Sequence, residues 1–186
     1  MAKNDSSLAS VAKPVAAGAI SSGTTKTTLP TDATTDLATE FVKLGYVSED
    51  GLTNGLDQDV ENIKAWGGDT ILTVRTSRTE TFKFTLVQAL DVDVLKEVYG
   101  QDNVTGDLTT GITVKHNGKE LPRRAFVIDM LMTGNAVKRI VVPFGQVTEV
   151  GDVTYVDGSA VGYETTVTCF PDAHGNTVYE YIKKAA

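Results

Sequence analysis

A two-residue alternation of apolar and polar side chains is the feature that most constrains the fold of this chain. It is clearest in the segment Thr79–Ala89. The apolar set there is Phe82, Phe84 and Leu86, and the polar set is Thr81, Lys83 and Thr85. Successive side chains of a β-strand point to opposite faces. Burying a phenylalanine stabilises a fold by roughly 1.5–3 kcal/mol, so the pattern predicts a strand whose apolar face packs into a core.

Strand patterns of this kind occupy most of the chain and predict a mainly β protein. We predict strands at Val15–Ile20, Thr70–Thr76, Gly111–Lys115, Pro122–Thr133, Val137–Val150, Val153–Pro171 and Thr177–Ile182, besides Thr79–Ala89. Pro143 belongs at an edge or a bulge, because proline has no backbone N–H for a strand ladder. The segments Ser21–Asp36 and Gln58–Gly68 are rich in polar and turn residues and are predicted to be loops.

Apolar residues at helical spacing predict one helix over Asp91–Tyr99, which Gly100 ends, and a shorter one over Leu37–Leu44. Residues 1–13 are small and polar, which predicts a flexible N-terminal arm. Residues 14–186 show no internal repeat and predict a single domain. The expected fold is a β-sandwich or partial barrel with one α-helix packed against it.

Composition and the few reactive residues argue against catalysis and against binding of nucleic acid. Binding to phosphates requires clustered positive charge, whereas the formal net charge of this chain is −7. The single cysteine, Cys169, lies in an apolar run and is predicted to be a packed thiol. His116 and His174 both lie in predicted turns, away from the partners that a catalytic triad needs. We therefore predict no enzyme activity, no cofactor and no membrane span.

Two charged groups allow more than one interpretation. Asp57, Asp59 and Glu61 alternate like the start of a calcium loop, but the glycine and the bidentate acid that such a loop needs are missing, so we predict no metal site. These three carboxylates and the basic pair Arg123 and Arg124 are either solvated loops or complementary contacts between copies of the chain. Trp66 is either a core residue or an interface anchor.

The sequence GYVSEDGLT at 45–53, followed by DVENIKAWGGDTILTVRT at 59–76, closely resembles major tail tube proteins. These proteins belong to long-tailed, siphovirus-type bacteriophages, and the likeness is greatest to those that infect actinobacteria. The resemblance runs more loosely from about Pro14 to the C-terminus. It implies a structural virion protein that is made and assembled in the bacterial host cytoplasm.

The resemblance also implies an assembly. Six subunits form a ring, the rings stack into a hollow tube, and each subunit contributes long strands to one shared barrel around the bore. Viral DNA passes through the tube without sequence-specific binding. The implied partners are further copies of the chain, a tape-measure protein in the lumen, and tail terminator and tail tip proteins.

Candidate residues follow from this assembly. We expect the bore to be lined by strands from Thr70–Thr76, Thr79–Ala89, Pro122–Thr133 and Val137–Val150. The expected lumen-facing side chains are Arg75, Thr81, Lys83, Thr85, Asp129 and Arg139. The expected ring-stacking or interface side chains are Asp57, Asp59, Glu61, Trp66, Arg123 and Arg124.

A monomeric β-sandwich binding module, such as a capsid decoration or adhesin domain, is the alternative interpretation. Such a module would bind through aromatic side chains at loop tips and would need no neighbour to cover its strand faces. The two interpretations predict a different dependence of particle size on protein concentration, because only a tube protein forms rings and hollow polymers.

Overall fold

The computed structural model describes residues 4–16 and 18–184, which form a mainly β structure with one α-helix. In chain order the elements are β1 (Ala12–Pro14), β2 (Ile20–Thr24), β3 (Val42–Lys43), β4 (Val47–Lys64), β5 (Thr70–Leu86), α1 (Val92–Tyr99), β6 (Val104–Thr105), β7 (Thr113–Val114), β8 (Arg124–Met132), β9 (Ala136–Val150), β10 (Tyr163–Phe170) and β11 (Tyr179–Lys184). Short 3-10 turns lie at Ser6–Leu8 and Gln101–Asn103. The mainly β class with one packed helix is confirmed.

Nine of these strands form one antiparallel sheet, whose path runs β3-β2-β8-β9-β10-β5-β4. β1 pairs with the last residues of β8, beyond the part that pairs with β2, and β11 pairs with the first half of β9. The second half of β9 pairs instead with β10. The long strand β9 therefore joins two parts of the sheet, one built around β8 and the other around β5.

The junction lies at Pro143, where the register between β8 and β9 shifts. Phe126 pairs with Val142, but Arg124 pairs with Gly145, so β9 carries one residue more than β8 between these two pairs. A bulge of this kind bends the strand and leaves a residue outside the ladder. Proline is suited to such a position because it has no N–H to donate, and the prediction for Pro143 is confirmed.

The main core lies between the two parts of the sheet and beneath α1. The predicted face of β5 is confirmed: Phe82, Phe84 and Leu86 are at most 3% exposed. They pack with residues from β8, β9, β10 and α1, among them Phe126, Ile128, Ile140, Val142, Val167, Val94, Leu95 and Val98. The apolar face of β5, which repeats every two residues, and the apolar face of α1, which repeats nearly every four, are thus buried against each other.

A second, smaller core lies on the opposite face of β8 and β9. Ala125, Val127 and Val141 are buried there beneath Phe41 and the loop of residues 25–41. The expected helix over Leu37–Leu44 is wrong, because this segment forms a turn followed by β3. The apolar side chains of this segment still pack inward, because contact with β8 buries them without a helix. As a result, β8 is buried on both faces.

An ion pair beneath the same loop overturns two of the lumen expectations. Arg139 is only 6% exposed, and its Nε donates to Asp129 Oδ1 at 2.6 Å. Its Nη1 also donates to the carbonyl oxygens of Asp32 and Thr35, at 3.2 and 2.7 Å. Arg139 and Asp129 therefore hold the loop onto the sheet, with the Arg139 side chain buried and the Asp129 side chain only 21% exposed.

Helix α1 matches its prediction and is fixed by a buried charge. Asp91 caps the helix by accepting the Asp93 N–H, and Gly100 follows its last residue. Glu97 is 4% exposed and contacts Arg124 Nε at 2.9 Å, while Ser22 donates to it at 2.7 Å. Burial raises the pKa of the Glu97 carboxyl, and Arg124 opposes that shift. This cluster ties α1 to β2 and β8.

Several predicted boundaries are wrong. The first strands are Ala12–Pro14 and Ile20–Thr24, so the predicted strand Val15–Ile20 and the start of the predicted loop Ser21–Asp36 are both misplaced. Ala12 and Lys13 pair with β8, although they were expected to belong to a flexible arm. Residues 1–3 of that arm lie outside the described residues. The predicted loop Gln58–Gly68 is mostly strand, because β4 continues to Lys64.

The two faces of β5 predict opposite effects of the same introduced charge. Phe84→Asp removes a buried aromatic side chain, which alone costs about 3–5 kcal/mol, and places a carboxyl in an apolar core. Typical domains have about 5–15 kcal/mol of stability, so we expect this variant to be largely unfolded. Thr81→Asp, on the other face, should change the free energy of unfolding by about 1 kcal/mol or less. Urea unfolding followed by far-ultraviolet circular dichroism would measure both, and equal losses would contradict the face assignment.

The buried Glu97–Arg124 pair predicts a stability loss that depends on pH. Arg124→Ala leaves a buried carboxylate without its cation and should cost about 3–5 kcal/mol at pH 7. Without Arg124, the folded-state pKa of Glu97 lies further above its unfolded value, so the folded state binds the proton more tightly. The deficit relative to the native chain should therefore shrink as the pH falls towards the usual glutamate value, about 4.3.

A matched control isolates the carboxyl. In the single variant Glu97→Gln and in the double variant Glu97→Gln, Arg124→Ala, no carboxyl titrates in the cluster, so the stability difference between these two should be the same at pH 7 and pH 5. Unfolding curves of these two variants, of Arg124→Ala and of the native chain at both pH values are the measurement. A deficit of Arg124→Ala that grows at pH 5 would exclude this explanation.

Candidate assembly surfaces

One face of the β4–β5–β10–β9 part of the sheet is polar and open, and we call it the polar face. It is the side of these strands that points away from the main core. Its side chains are Thr53, Asp57, Asp59, Ser77, Thr79, Thr81, Lys83, Thr85, Thr148, Glu149, Glu164, Thr166 and Thr168. Hydroxyl groups predominate, and pairs such as Thr148 and Thr168 are 2.8 Å apart across neighbouring strands.

The charges on the polar face are mainly negative. Lys83 Nζ lies 2.7 Å from Glu164 Oε1, and this contact raises the pKa of the Lys83 ammonium. Glu149 lies close by, opposite Thr166. Asp57 and Asp59 extend the same face along β4, where Ser77 donates to Asp59 at 2.7 Å. Four carboxylates thus accompany one ammonium, so the face is acidic and hydroxylated.

The polar face includes three of the six expected lumen residues and excludes two. Thr81, Lys83 and Thr85 lie on it together. Asp129 and Arg139 do not, because they are covered by the loop of residues 25–41. Arg75 lies further along β5, beyond a register shift, and is exposed. Sequence alternation alone could not distinguish an open strand face from one that a distant loop covers.

The second surface is a projecting hairpin, residues 57–79, which we call the hairpin arm. It consists of the outer ends of β4 and β5, which stay paired as far as Lys64 and Thr70. At roughly 3.3 Å per residue, the paired part beyond Asp57 is about 25 Å long. Every residue of the hairpin arm except Ala65 is exposed, so nothing in its own subunit covers either face.

The turn at the end of the hairpin arm explains the Trp-Gly-Gly sequence. Ala65 N donates to Asp69 O at 2.7 Å, and Gly68 N donates to Ala65 O at 3.0 Å. Gly67 and Gly68 have φ values of 121° and 102°, which favour glycine. The turn leaves Trp66 fully exposed, at 107% of its reference area. The core interpretation of Trp66 is therefore wrong for the single subunit.

Further apolar side chains lie near the same end of the hairpin arm. Ile63 is opposite Leu72, and Glu61 is opposite Val74, so Ile63, Leu72 and Val74 share one face. They are 44%, 54% and 42% exposed. Exposed apolar side chains grouped in this way mark a contact surface more often than scattered ones do.

The base of the hairpin arm is attached to the turn before β11. Arg78 Nη1 donates to Thr177 Oγ1 at 3.1 Å, and Arg78 Nη2 lies 3.1 Å from Glu80 Oε2. Thr177 also donates to Glu80. This three-residue cluster sets the direction in which the hairpin arm leaves the body of the subunit.

The third surface consists of two open strand edges. In the described part of the chain, β4 pairs only with β5, and the last residues of β9, Gln146–Val150, pair only with β10. Each edge presents unpaired backbone donors and acceptors. The four-stranded part of the sheet can therefore accept another strand on either side.

The two expected interface arginines have different roles. The Arg124 side chain is occupied by Glu97 and Ser22 inside the subunit, so it is not available for an interface. The Arg123 guanidinium lies 3.9 Å over the ring of Phe170 at the surface. Asp57, Asp59 and Glu61 are exposed on the hairpin arm, as an interface requires.

The remaining reactive side chains of the described residues include one buried thiol and one histidine that contacts an aromatic ring. Burial raises the pKa of the Cys169 thiol to about 12, which keeps it protonated. The His116 ring contacts the Tyr99 ring, with centroids 4.5 Å apart and the two planes tilted by 50°. Among residues 4–16 and 18–184, no three histidine, cysteine, aspartate or glutamate side chains are grouped as metal ligands. No helix in the same residues is long and apolar enough to span a membrane.

Comparison with known protein families identifies the chain's family. A family model described as "Phage tail tube protein" matches residues 1–186. A search of curated proteins finds no match.

The exposure of Trp66 predicts that it contributes little to the stability of the single subunit. Trp66→Ala should change the free energy of unfolding by about 0.5 kcal/mol or less, as is typical of surface substitutions. Phe82→Ala, a truncation of an aromatic side chain that is 1% exposed, should cost about 3–5 kcal/mol. Urea unfolding at a protein concentration low enough to exclude self-association would compare the two variants. A large loss in Trp66→Ala would indicate packing within the subunit.

Proposed function

Because the chain belongs to the phage tail tube protein family, we propose that six copies form a ring and that the rings stack into a hollow tube that conducts viral DNA. The family makes the chain a structural component of the virion, which assembles into a tube with other tail proteins. The resemblance seen in residues 45–76 is confirmed at the level of the family. The likeness to actinobacteriophage proteins stays a prediction.

We propose that the polar face lines the bore. Its strands are β4, β5, β10 and the end of β9. The segment Pro122–Thr133, which we expected to line the bore, is replaced by β10, since β8 is buried on both faces. The single observation that carries the proposal is a four-stranded layer with a core on one side, an open hydroxyl-rich face on the other, and an open backbone edge on each of its two outer strands.

The open edges support closure of the ring. If the outer edge of β4 in one copy pairs with the end of β9 in the next, the hydrogen-bonding groups of both edges are satisfied. A closed barrel is the arrangement that removes sheet edges altogether. The polar face then surrounds a water-filled channel, and no further layer is needed to cover it.

The charges of the polar face suit a passive conduit. DNA is a polyanion that binds tightly wherever lysine and arginine release its counterions. The face carries one ammonium, Lys83, which Glu164 already neutralises, and further carboxylates at Asp57, Asp59 and Glu149. Such a wall repels phosphates weakly and does not trap the strand as it moves.

The hairpin arm supports stacking of rings. Its exposed residues Ile63, Trp66, Leu72 and Val74 need a partner that the subunit itself does not supply. Its length of about 25 Å takes them well beyond the body of the subunit. Asp57 and Asp59 lie at the base of the hairpin arm and belong to the bore side in this arrangement. Glu61 and Trp66 lie further out along the arm and remain as the stacking contacts. A tape-measure protein in the lumen, and terminator and tip proteins at the two ends, complete the proposed set of partners.

Electron microscopy of the purified chain at increasing concentration tests the proposal. We expect rings and hollow tubes above a threshold concentration and folded single subunits below it. Trp66→Ala should raise the threshold at least tenfold, because large aromatic anchors at interfaces are worth about 2 kcal/mol or more. Thr81→Asp should leave the threshold within about twofold of the native value, because its side chain faces the bore.

Two outcomes would count against the proposal. A native chain that remains a single subunit at every concentration would favour the binding-module interpretation. Tubes in which Thr81→Asp assembles as poorly as Trp66→Ala would contradict the assignment of the bore.

A further inference from the structure

An apolar groove lies on the body of the subunit, between β1 and the start of β4, and we call it the β1–β4 groove. It has a volume of about 480 Å³. The larger apolar side chains of its lining include Ile20, Val47, Leu52, Ile128 and Met130. Ile20 and Ile128 are almost fully buried and form its floor, while Leu52 and Met130 are half-buried and form its walls.

The groove has a local cause in β4. Val47 pairs with Leu86, and Leu52 pairs with Phe84, so four residues of β4 lie between two pairs that are only two residues apart on β5. These four residues, Ser48 to Gly51, stand opposite Thr85 alone, so three of them are extra and the segment bulges away from β5. Gly51 within it has a φ of 74°. The bulge separates β4 from β1, and no described side chain fills the space between them. Cavities of about 300–1,000 Å³ are large enough to bury most of a bound group of aromatic size.

The tip of the hairpin arm has the matching chemistry. Trp66 is the chain's single tryptophan and is fully exposed. A tryptophan side chain buries roughly 150–250 Å² when it is packed, so its exposure leaves the largest single apolar group of the chain without a contact. A groove with an apolar floor and an open mouth is the kind of site that such a side chain fills.

The charges around the two surfaces are complementary as well. Lys64 lies on one side of Trp66 and Asp69 on the other, and both are exposed. The rim of the β1–β4 groove carries Lys13, which belongs to β1, and the acidic pair Glu49 and Asp50 on the bulge of β4. The tip therefore offers one cation and one anion, and the groove offers an acidic side and a basic side.

We propose that Trp66 of one copy docks in the β1–β4 groove of a second copy, with Asp69 near Lys13 and Lys64 near Glu49 and Asp50. This inference rests on the proposed stacking of rings and names the site that receives the hairpin arm. A second cavity, of about 460 Å³, lies beside Tyr99 and Leu121. Its walls carry Lys119, Glu120 and Glu149, so burying an indole there would desolvate more charge.

A charge-swap cycle tests the docking site. Asp69→Lys and Lys13→Glu each place like charges at the proposed contact and should each raise the threshold concentration for tubes roughly threefold, the scale of one exposed ion pair. The double variant Asp69→Lys, Lys13→Glu restores opposite charges and should return to within about twofold of the native threshold. All of these positions are exposed, so the subunit should stay folded, which circular dichroism would verify.

A matched control uses the other cavity. Asp69→Lys combined with Lys119→Glu makes the same exchange of charges at the wrong groove, so this double variant should keep the penalty of Asp69→Lys. Trp66 supplies a second signal, since no other tryptophan contributes emission. Its fluorescence should shift to shorter wavelength when native tubes form, and Met130→Glu should reduce that shift in any tubes that remain.

The outcomes separate the two proposals. Tubes that form normally but show no rescue in the Asp69–Lys13 cycle would overturn the docking site and leave the tube function intact. Rescue by Lys119→Glu would move the contact to the second cavity and overturn it too. A native chain that never assembles would overturn the proposed function itself.

Discussion

The two parts of the sheet are held together at Gly145, a position that has no room for a side chain. A Cβ atom there would lie 2.6 Å from the ring of Phe126 and 2.8 Å from Val167. These two side chains belong to β8 and β10, which both pair with β9 at this residue. Close packing across a bare backbone, next to the bulge at Pro143, lets one strand serve two layers. The core, the polar face and the attachment of the hairpin arm all depend on that continuity.

The covering of β8 decides which layer remains open. Loop 25–41 is attached to β8 and β9 by Arg139, which bonds to Asp129 and to two backbone oxygens of the loop. Hydrogen bonds that involve a charged donor are among the stronger ones in proteins. With that face closed, the layer formed by β4, β5, β10 and the end of β9 is the large polar strand surface that stays open.

The sequence predicted those elements whose burial follows a local period. β5 and α1 were placed correctly because their side chains alternate between one buried and one exposed side, or repeat at helical spacing. β8 and β9 were placed correctly as long runs rich in apolar and β-branched residues, although both faces of β8 are buried. The second half of β4 was missed for the opposite reason: neither of its faces is buried, so Gln58–Lys64 has a loop-like composition although it is paired throughout. The roles of Arg139 and Arg124 depended on partners about 100 residues away, Thr35 and Ser22, which no local pattern reveals.

Because neither face of the hairpin arm is covered within its own subunit, the hairpin arm affects the rate of assembly. A two-stranded ribbon without a third layer is only marginally stable in water, so the free subunit orders this segment weakly. When the first subunits meet, their few contacts must therefore offset the conformational entropy that the ribbon loses when it becomes ordered. A subunit that joins an existing end finds its binding surface already in place. Growth from a preformed end would then be fast and spontaneous initiation slow, so that long polymers start mainly where another component provides the first end.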